Sequence, residues 1–267
     1  MEIFLKTEDE IELMRESNLL VGKVLGELAK LISPGITTAE LDNVAEGIIR
    51  DSGAEPTFKG FLNPYGGRPF PNAICTSVND QVVHGVPGSV VLKNGDIVSI
   101  DCGVRKNGFC GDSAYTFCVG EVSEEVRNLL RVTKQALYLG IEKATVGKRV
   151  GDIGNAIQQY CESFSYGVVR EFAGHGIGKA MHEAPFVPNF GNVGQGAGLR
   201  QGMCIAIEPM IAQGSPKVVL DDDDWTVRTV DGSYVAHFEH TVAITSGKAD
   251  ILSSFQFIED VLGEKAI

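Results

Sequence analysis

Hydrophobic positions along the chain change twice from a helical spacing to a strand-like one, so the same order of elements occurs in each half. Thr7 and Thr37 each stand three residues before a glutamate, which is the capping-box pattern with which helices begin. The spacing predicts four helices, at about Thr7 to Ile32, Thr37 to Gly53, Ser123 to Ala144 and Gly151 to Phe164. Strand-like runs follow each helix pair, the first of them at Ala73 to Val78 and at Val82-Val83.

A β-hairpin is predicted around Asn107-Gly108, because this dipeptide favours a tight turn and lies between two apolar runs. If Asn107-Gly108 is the loop, Asp101 is the diagonal neighbour of Asp112. If the turn is centred between Lys106 and Asn107, Asp101 faces Asp112 directly. Either register puts both carboxylates on one face, since side chains alternate with period two. The pair is therefore either solvent-facing or part of a divalent metal site.

An internal repeat relates the two halves of the chain. Leu92–Asp101 matches Leu199–Glu208 as leucine, a base, an amide, glycine, an apolar run and then an acid. The match predicts a single catalytic domain over residues 1–267, with two similar helix-helix-strand halves at about 1–120 and 121–267 related by an approximate twofold axis. Each half is expected to bring a strand that ends in an acid toward the centre. Asp112 and Glu239 then follow as the second acid of each half.

Four carboxylates gathered inside one domain predict a metal centre, because such a buried negative charge is costly unless cations neutralise it. With one imidazole they could hold two divalent ions about 3.5 to 4 Å apart. His175, which stands between glycines, is the favoured imidazole. His240 directly follows Glu239 and would point to the opposite face of a strand, so a structural role is expected for it. The donor set suits Co, Mn, Fe, Ni or Zn and does not identify the ion.

Composition and charge narrow the classes of function. The formal net charge of −12 argues against non-specific binding to nucleic acid or to an anionic membrane, since both depend on a positive field. The first residues lack the layout of a signal peptide, so a cytoplasmic protein is expected. The six cysteines are scattered without a Cys-x-x-Cys pair, which favours reduced thiols in the core.

Six separated motifs resemble those of the type I methionine aminopeptidases, in the same order and over nearly the whole chain, from about Thr7 to Ile244. They are His84-Gly-Val-Pro, Asp101 with Asp112, Gly174-His175-Gly-Ile-Gly, His182-Glu-Ala-Pro, Ile207-Glu208-Pro-Met and Phe238-Glu239-His-Thr. The resemblance implies the α+β pita-bread fold, in which a strongly curved antiparallel sheet is backed by two helix pairs. It also implies removal of the initiator methionine from nascent chains whose second residue is small.

The resemblance also implies roles for individual residues. The metal ligands by matched position are Asp101, Asp112, His175, Glu208 and Glu239. Glu208 is expected to accept and pass on a proton, His182 to donate a hydrogen bond to the developing oxyanion, and His84 to contact the scissile nitrogen. The apolar pocket for the methionine side chain is expected to include Phe58, Phe61, Phe70, Cys75 and Trp225. The segment Leu62 to Pro69 is an addition to the family's pattern.

The expected partners are peptides with N-terminal methionine and the ribosome near its exit tunnel, and the chain is expected to be a monomer. The nearest alternative is a proline-directed exopeptidase on the same fold. Those enzymes usually carry a separate N-terminal domain, for which 267 residues leave no room. A non-catalytic module that binds peptides or ribosomes is the other alternative. Such relatives lack several ligands, whereas this chain has all five.

Overall fold

Five α-helices and fifteen strands form the part of the chain that the computed structural model describes, residues 2–63 and 66–267. Pro64 and Tyr65, within the Leu62 to Pro69 segment, lie outside the described residues. The helices are Glu8–Ala29 (α1), Thr38–Asp51 (α2), Glu124–Ile141 (α3), Val150–Ser163 (α4) and Gln256–Leu262 (α5), followed by a 3-10 turn at Gly263–Lys265. The strands are Glu55–Pro56 (β1), Ile74–Val78 (β2), Gln81–Val83 (β3), Ile97–Lys106 (β4), Phe109–Cys118 (β5), Gly167–Val168 (β6), Gly174–Gly176 (β7), Glu183–Val187 (β8), Cys204–Ile207 (β9), Met210–Ala212 (β10), Val218–Leu220 (β11), Val227–Thr229 (β12), Val235–His237 (β13), His240–Ala243 (β14) and Asp250–Ile251 (β15).

The four predicted helices are present, and both predicted capping boxes are formed. The Thr7 side chain accepts a hydrogen bond from the amide of Glu10, whose carboxylate accepts one from the amide of Thr7. Thr37 and Glu40 make the same pair of bonds at the start of α2. These bonds satisfy amides that have no partner within the helix, which is why the sequence marks helix starts so clearly. Helix α1 ends at Ala29, earlier than predicted, because the chain turns before Pro34.

The sheets are antiparallel throughout their named strand pairs, and the predicted α+β fold class is confirmed. One sheet joins β1, β4 and β2, with β5 paired to β4, and a second has the order β15-β14-β9-β7-β8. Two smaller sheets have the orders β13-β10-β6 and β11-β12-β3. Helices α1 and α2 pack on each other, as do α3 and α4. A single large apolar cluster joins the inner faces of these helices to the strands.

The β4–β5 hairpin has the first of the two predicted registers. Lys106 pairs with Phe109 and Gly103 with Asp112, so Asp101 pairs with Ala114 and is diagonal to Asp112. Asn107 and Gly108 form the loop, with φ of 52° and 81°, values that suit this dipeptide. Strand β4 continues past Asp101 to Lys106, so the expectation that this strand ends in its acid was wrong. Because the turn comes at Asn107-Gly108, the hydrogen-bonded pairing of β4 with β5 continues for five residues beyond Asp101.

The strands of the second half are shorter than β4 and β5. Glu208 and Glu239, the two acids of that half, both lie at the ends of strands. Strand β9 ends immediately before Glu208, where Pro209 has no amide hydrogen for a ladder bond. Glu239 lies in the break between β13 and β14. Its amide donates to the carbonyl of Ala114, and its carbonyl accepts from the Ser113 hydroxyl at 2.7 Å. These bonds attach the acid of the second half to the hairpin of the first.

The six cysteines are free, as predicted, and all but Cys118 are buried. Among the described residues, none of the helices combines the length and apolar character that crossing a bilayer requires.

Helix α1 lies so close to β5 that Gly111 has no space for a side chain. A Cβ at Gly111 would lie 2.5 Å from the amide nitrogen of Asn18 in α1. We expect Gly111→Ala to destabilise the protein by about 1 to 3 kcal/mol, because helix and strand must separate. Urea denaturation measures this. The control is Gly47→Ala in α2, where a Cβ meets nothing within 4 Å and where the substitution is expected to stabilise by about 0.5 to 1 kcal/mol. Equal midpoints for the two variants would contradict the packing argument.

Candidate metal centre and substrate cleft

Five predicted ligands come from five separate places in the fold and meet on one side of the hairpin. Asp101 and Asp112 project from β4 and β5, and His175 lies in the middle of β7. Glu208 follows β9, and Glu239 precedes β14. The antiparallel pairing of β9 with β7 and with β14 brings the second group together, and the bonds from Glu239 to β5 join it to the first.

The ligand atoms of this cluster lie within reach of one another. Atoms of Asp112, His175 and Glu239 are all within 4.8 Å of each other. The Nε2 atom of His175 is 3.6 Å from Oδ2 of Asp112 and 3.7 Å from Oε1 of Glu208. Asp101 interacts with Asp112 through their carboxyl groups. The arrangement is a compact group of four acids around one imidazole.

Burial and mutual repulsion disfavour full ionisation of these acids. Burial raises the pKa of Asp101 well above its usual value, and the charge of Asp112 raises it further. Burial likewise raises the pKa of Glu239, with Asp112 adding to the shift. Burial also raises the pKa of Asp112, although the adjacent His175 offsets part of the effect. The cluster therefore favours bound positive charge.

The donors present fit divalent cations. Buried oxygens Oδ1 of Asp101, Oδ1 of Asp112 and Oε1 of Glu239 have no hydrogen-bond partner among the described residues. Buried polar atoms are normally paired, so three unpaired carboxylate oxygens directed into one cluster indicate a positively charged occupant. A set of carboxylates with one imidazole suits Mn, Fe, Co or Zn and contains no thiolate that would favour a softer ion.

A second histidine borders the acids, and the sequence reasoning did not select it. His237 is 2% exposed, and its Nε2 atom is 3.6 Å from Oε2 of Glu208. Although burial raises the pKa of Glu208, its interactions with His237 and then His175 lower it overall. His237 precedes Glu239 by two residues, so the period of two along a strand could have placed both side chains on one face. The break at Phe238-Glu239 was not visible in the apolar pattern.

The two histidines predicted as non-ligands lie beside the cluster on different loops. The His182 ring contacts that of His175, with centroids 4.3 Å apart. Although His182 is exposed as a whole residue, desolvation and then repulsion from His175 lower the pKa of His182 to about 4. Burial lowers the pKa of His84 to about 4 as well. Both rings are therefore neutral at pH 7, and each has one N–H to donate.

The backbone of His84 has an unusual conformation. Its φ is 58°, in the left-handed region that few residues other than glycine adopt. Edge contacts hold the ring in place, at 5.4 Å from the centroid of Phe172 and 6.2 Å from that of Trp225. The conformation turns the imidazole out of the line of β3 and into the cleft.

The five predicted pocket residues lie together as one apolar cluster. Phe70, Cys75 and Trp225 are buried, with exposed fractions of 3%, 4% and 8%, and Phe58 and Phe61 pack against them. The Phe61 ring is 5.2 Å from that of His182, and Trp225 borders His84. The Trp225 indole nitrogen donates to the carbonyl of Arg68, so the segment added after Phe61 helps to fix the pocket wall. An apolar pocket thus adjoins both neutral histidines.

His240 is directed away from the acids, as predicted. Its Nδ1 atom is 2.6 Å from the Ser253 hydroxyl, and its ring stacks on Phe255 with centroids 3.9 Å apart. These contacts tie β14 to the segment before α5. Among the described residues, the ring contacts Ser253, Phe255 and Tyr138, none of which belongs to the acid cluster.

The chain was compared with protein-family models, with known proteins and with solved structures. Residues 12–246 match the model of metallopeptidase family M24. The chain is 53% identical to a methionine aminopeptidase of Clostridium perfringens and 51% identical to one of Clostridium acetobutylicum, covering 94% of this chain and 98% of each relative. It is also similar to the crystal structure of a methionine aminopeptidase from Thermotoga maritima, with a TM-score of 0.90, 43% identity, and coverage of 95% of this chain and 100% of that one.

Proposed function

The chain belongs to the methionine aminopeptidases of metallopeptidase family M24, whose activity is removal of the initiator methionine, and we propose the residues with which it performs this hydrolysis. The observation that carries the proposal is the cluster of buried, unpaired carboxylate oxygens beside an apolar pocket. We assign Asp101, Asp112, His175, Glu208 and Glu239 to two divalent cations.

The chain's own groups supply the proton transfers. When bound, divalent cations polarise a carbonyl and lower the pKa of nearby water. The histidine neighbours of Glu208 lower its pKa and so keep it ionised, the form in which a carboxylate can accept a proton and pass it to the leaving amine. Neutral His182 donates its N–H to the oxyanion that develops on the scissile carbonyl. Neutral His84, on the other side of the cleft, contacts the scissile nitrogen and assists its departure.

Substrate selection follows from the apolar cluster and the acids. The methionine side chain binds among Phe58, Phe61, Phe70, Cys75 and Trp225, where an unbranched thioether fits aromatic walls. The free amino group of the substrate lies toward the acid cluster, which limits cleavage to the first peptide bond. Beyond the scissile bond we expect only a small second residue to fit, because the exposed His182 ring, in edge contact with Phe61 at 5.2 Å, borders the cleft there.

We further expect the protein to act in the cytoplasm as a monomer on chains that emerge from the ribosome. A proline-directed exopeptidase is the alternative on the same fold. The relatives near 50% identity are methionine aminopeptidases and match 98% of their own length without a further domain, which favours the methionine activity.

The test is a pair of tripeptides. Cation-loaded protein is expected to release methionine from Met-Ala-Ser and to leave Met-Lys-Ser nearly uncleaved, and a chelator is expected to stop release. Chromatography of the free amino acid measures both results. Cleavage of an Xaa-Pro substrate in preference to Met-Ala-Ser would overturn the assignment, as would full activity in the chelator.

A further inference from the structure

A buried ion pair includes Glu183, the residue that follows His182 in the chain. The ammonium of Lys6 is 2.6 Å from Oε2 of Glu183, and the exposed fractions of the two side chains are 5% and 7%. Lys6 belongs to the segment before α1, and Glu183 follows His182 in the chain. Neither residue belongs to the proposed metal ligands or to the five proposed pocket residues. Burying two charges is expensive, so a buried ion pair is weak evidence for a contribution to stability, and its position beside His182 is the feature to explain.

The ion pair fixes the loop from Ile177 to His182, which connects β7 to β8. Glu183 also accepts the amide of Ala180 with Oε1 at 3.2 Å, so one carboxylate joins Lys6 to the middle of the loop. A Cβ at Gly178 would lie 2.5 Å from Cε of Lys6, which shows how closely the lysine stem passes beneath the loop. On the hairpin side, buried Met181 fills the space above Gly103. The loop is therefore held between the hairpin and Lys6.

Lys6 is itself held in place by the main chain. Its amide donates to the carbonyl of Gly202 at 2.7 Å, and its ammonium also donates to the carbonyl of Phe4. Gly202 has a φ of +85°, and a Cβ there would meet the Lys6 carbonyl at 2.7 Å. Both the backbone and the ammonium of Lys6 are therefore held in place by hydrogen bonds.

The His182 ring has no comparable anchor of its own. Among the described residues it makes ring contacts with Phe61 and His175, and no hydrogen bond to the imidazole is present. His182 lies in the bend immediately before Glu183, the first residue of β8, so the buried Glu183 carboxylate fixes the backbone from which the His182 ring projects.

We propose that Lys6 and Glu183 are positioning residues that hold the His182 imidazole in its catalytic orientation. The proposal rests on the proposed role of His182 as a hydrogen-bond donor in the reaction. Loss of the ion pair allows the loop to shift, and a displacement of about 1 Å at a catalytic group can cost about 100-fold in rate. We expect Lys6→Met and Glu183→Gln each to lower kcat on Met-Ala-Ser by about 10- to 100-fold, with KM and cation content unchanged.

The control is Arg15→Met, which breaks the 2.6 Å ion pair between Arg15 in α1 and Asp250 in β15. It is expected to leave kcat unchanged. Because Lys6→Met leaves an unpaired buried carboxylate, urea midpoints are measured for every variant. The double variant Lys6→Met/Glu183→Gln has no unpaired charge and is expected to recover stability while kcat stays low. A double variant with wild-type kcat would overturn the proposal.

Two further measurements separate positioning from general damage. In the His182→Ala background, Lys6→Met should lower kcat no further, because both changes act through one imidazole. An independent further loss there contradicts the proposal. The ring signals of His182 in a proton–nitrogen NMR correlation spectrum should move in Lys6→Met while those of His84 stay, and an unmoved His182 signal also contradicts it. If His182→Ala itself leaves kcat intact, the proposed role of His182 fails, whereas the NMR result still decides whether the ion pair positions the ring.

Discussion

His175→Ala is expected to release bound cations and to lower kcat by more than about 1,000-fold, since loss even of residues that only support metal ligands costs about 10- to 100-fold. The substitution removes the single imidazole that lies within 4 Å of both Asp112 and Glu208. It leaves buried carboxylates that repel one another without the imidazole that lies between Asp112 and Glu208. Mass spectrometry of the intact protein measures the cations retained, and the tripeptide assay measures kcat.

The control for His175→Ala is a second buried histidine. His240→Gln removes the ring that binds Ser253 and stacks on Phe255, so it is expected to lower the urea midpoint while the cation content stays normal. If His175→Ala retained its full complement of cations, His175 would not be a ligand. The acids alone would then account for binding.

His182→Ala is expected to lower kcat by about 100- to 1,000-fold, the usual cost of losing one donor to a developing oxyanion. The protein environment lowers the pKa of His182 to about 4, so the ring is a neutral donor throughout the neutral range. Its removal takes away a hydrogen bond that forms only as charge develops, and KM is therefore expected to change little. Steady-state kinetics on Met-Ala-Ser measures both parameters.

The content of bound cations is expected to distinguish His182→Ala from His175→Ala. Because His182 contacts His175 only through the rings, normal cation content is expected in His182→Ala. Loss of cations from that variant would mean that His182 belongs to the ligand set. A normal kcat would mean that another group, such as His84, stabilises the oxyanion.

Local sequence signals predicted the parts of this fold that depend on local physics. The capping boxes at Thr7 and Thr37 fixed two helix starts, because each is formed within four residues. Asn107-Gly108 indicated the hairpin for the same reason, since both residues tolerate positive φ. The sequence could not choose between two registers that each satisfied the alternation of side chains. Pairing across the whole hairpin decided in favour of the diagonal arrangement of Asp101 and Asp112.

Contacts between distant segments were beyond the reach of the sequence pattern. The Lys6–Glu183 pair joins residues 177 positions apart, and no periodicity connects them. His237 stands two residues before Glu239, but its approach to Glu208 depends on how two broken strands meet. The ligand residues were predicted from the hairpin, the repeat and then the resemblance, and the pocket residues from the resemblance alone. Both sets lie together in the structure. Their individual roles stay predictions that the variants above test.

The left-handed backbone of His84 lowers the stability of the fold, whereas the proposed reaction requires its imidazole. A non-glycine residue in that region costs about 1 to 3 kcal/mol, which the surrounding packing against Phe172 and Trp225 must offset. Selection for thermal stability alone would therefore favour glycine at this position, at the expense of the imidazole. Any effort to make a more heat-resistant form of the enzyme should hold residue 84 fixed and seek its gains elsewhere.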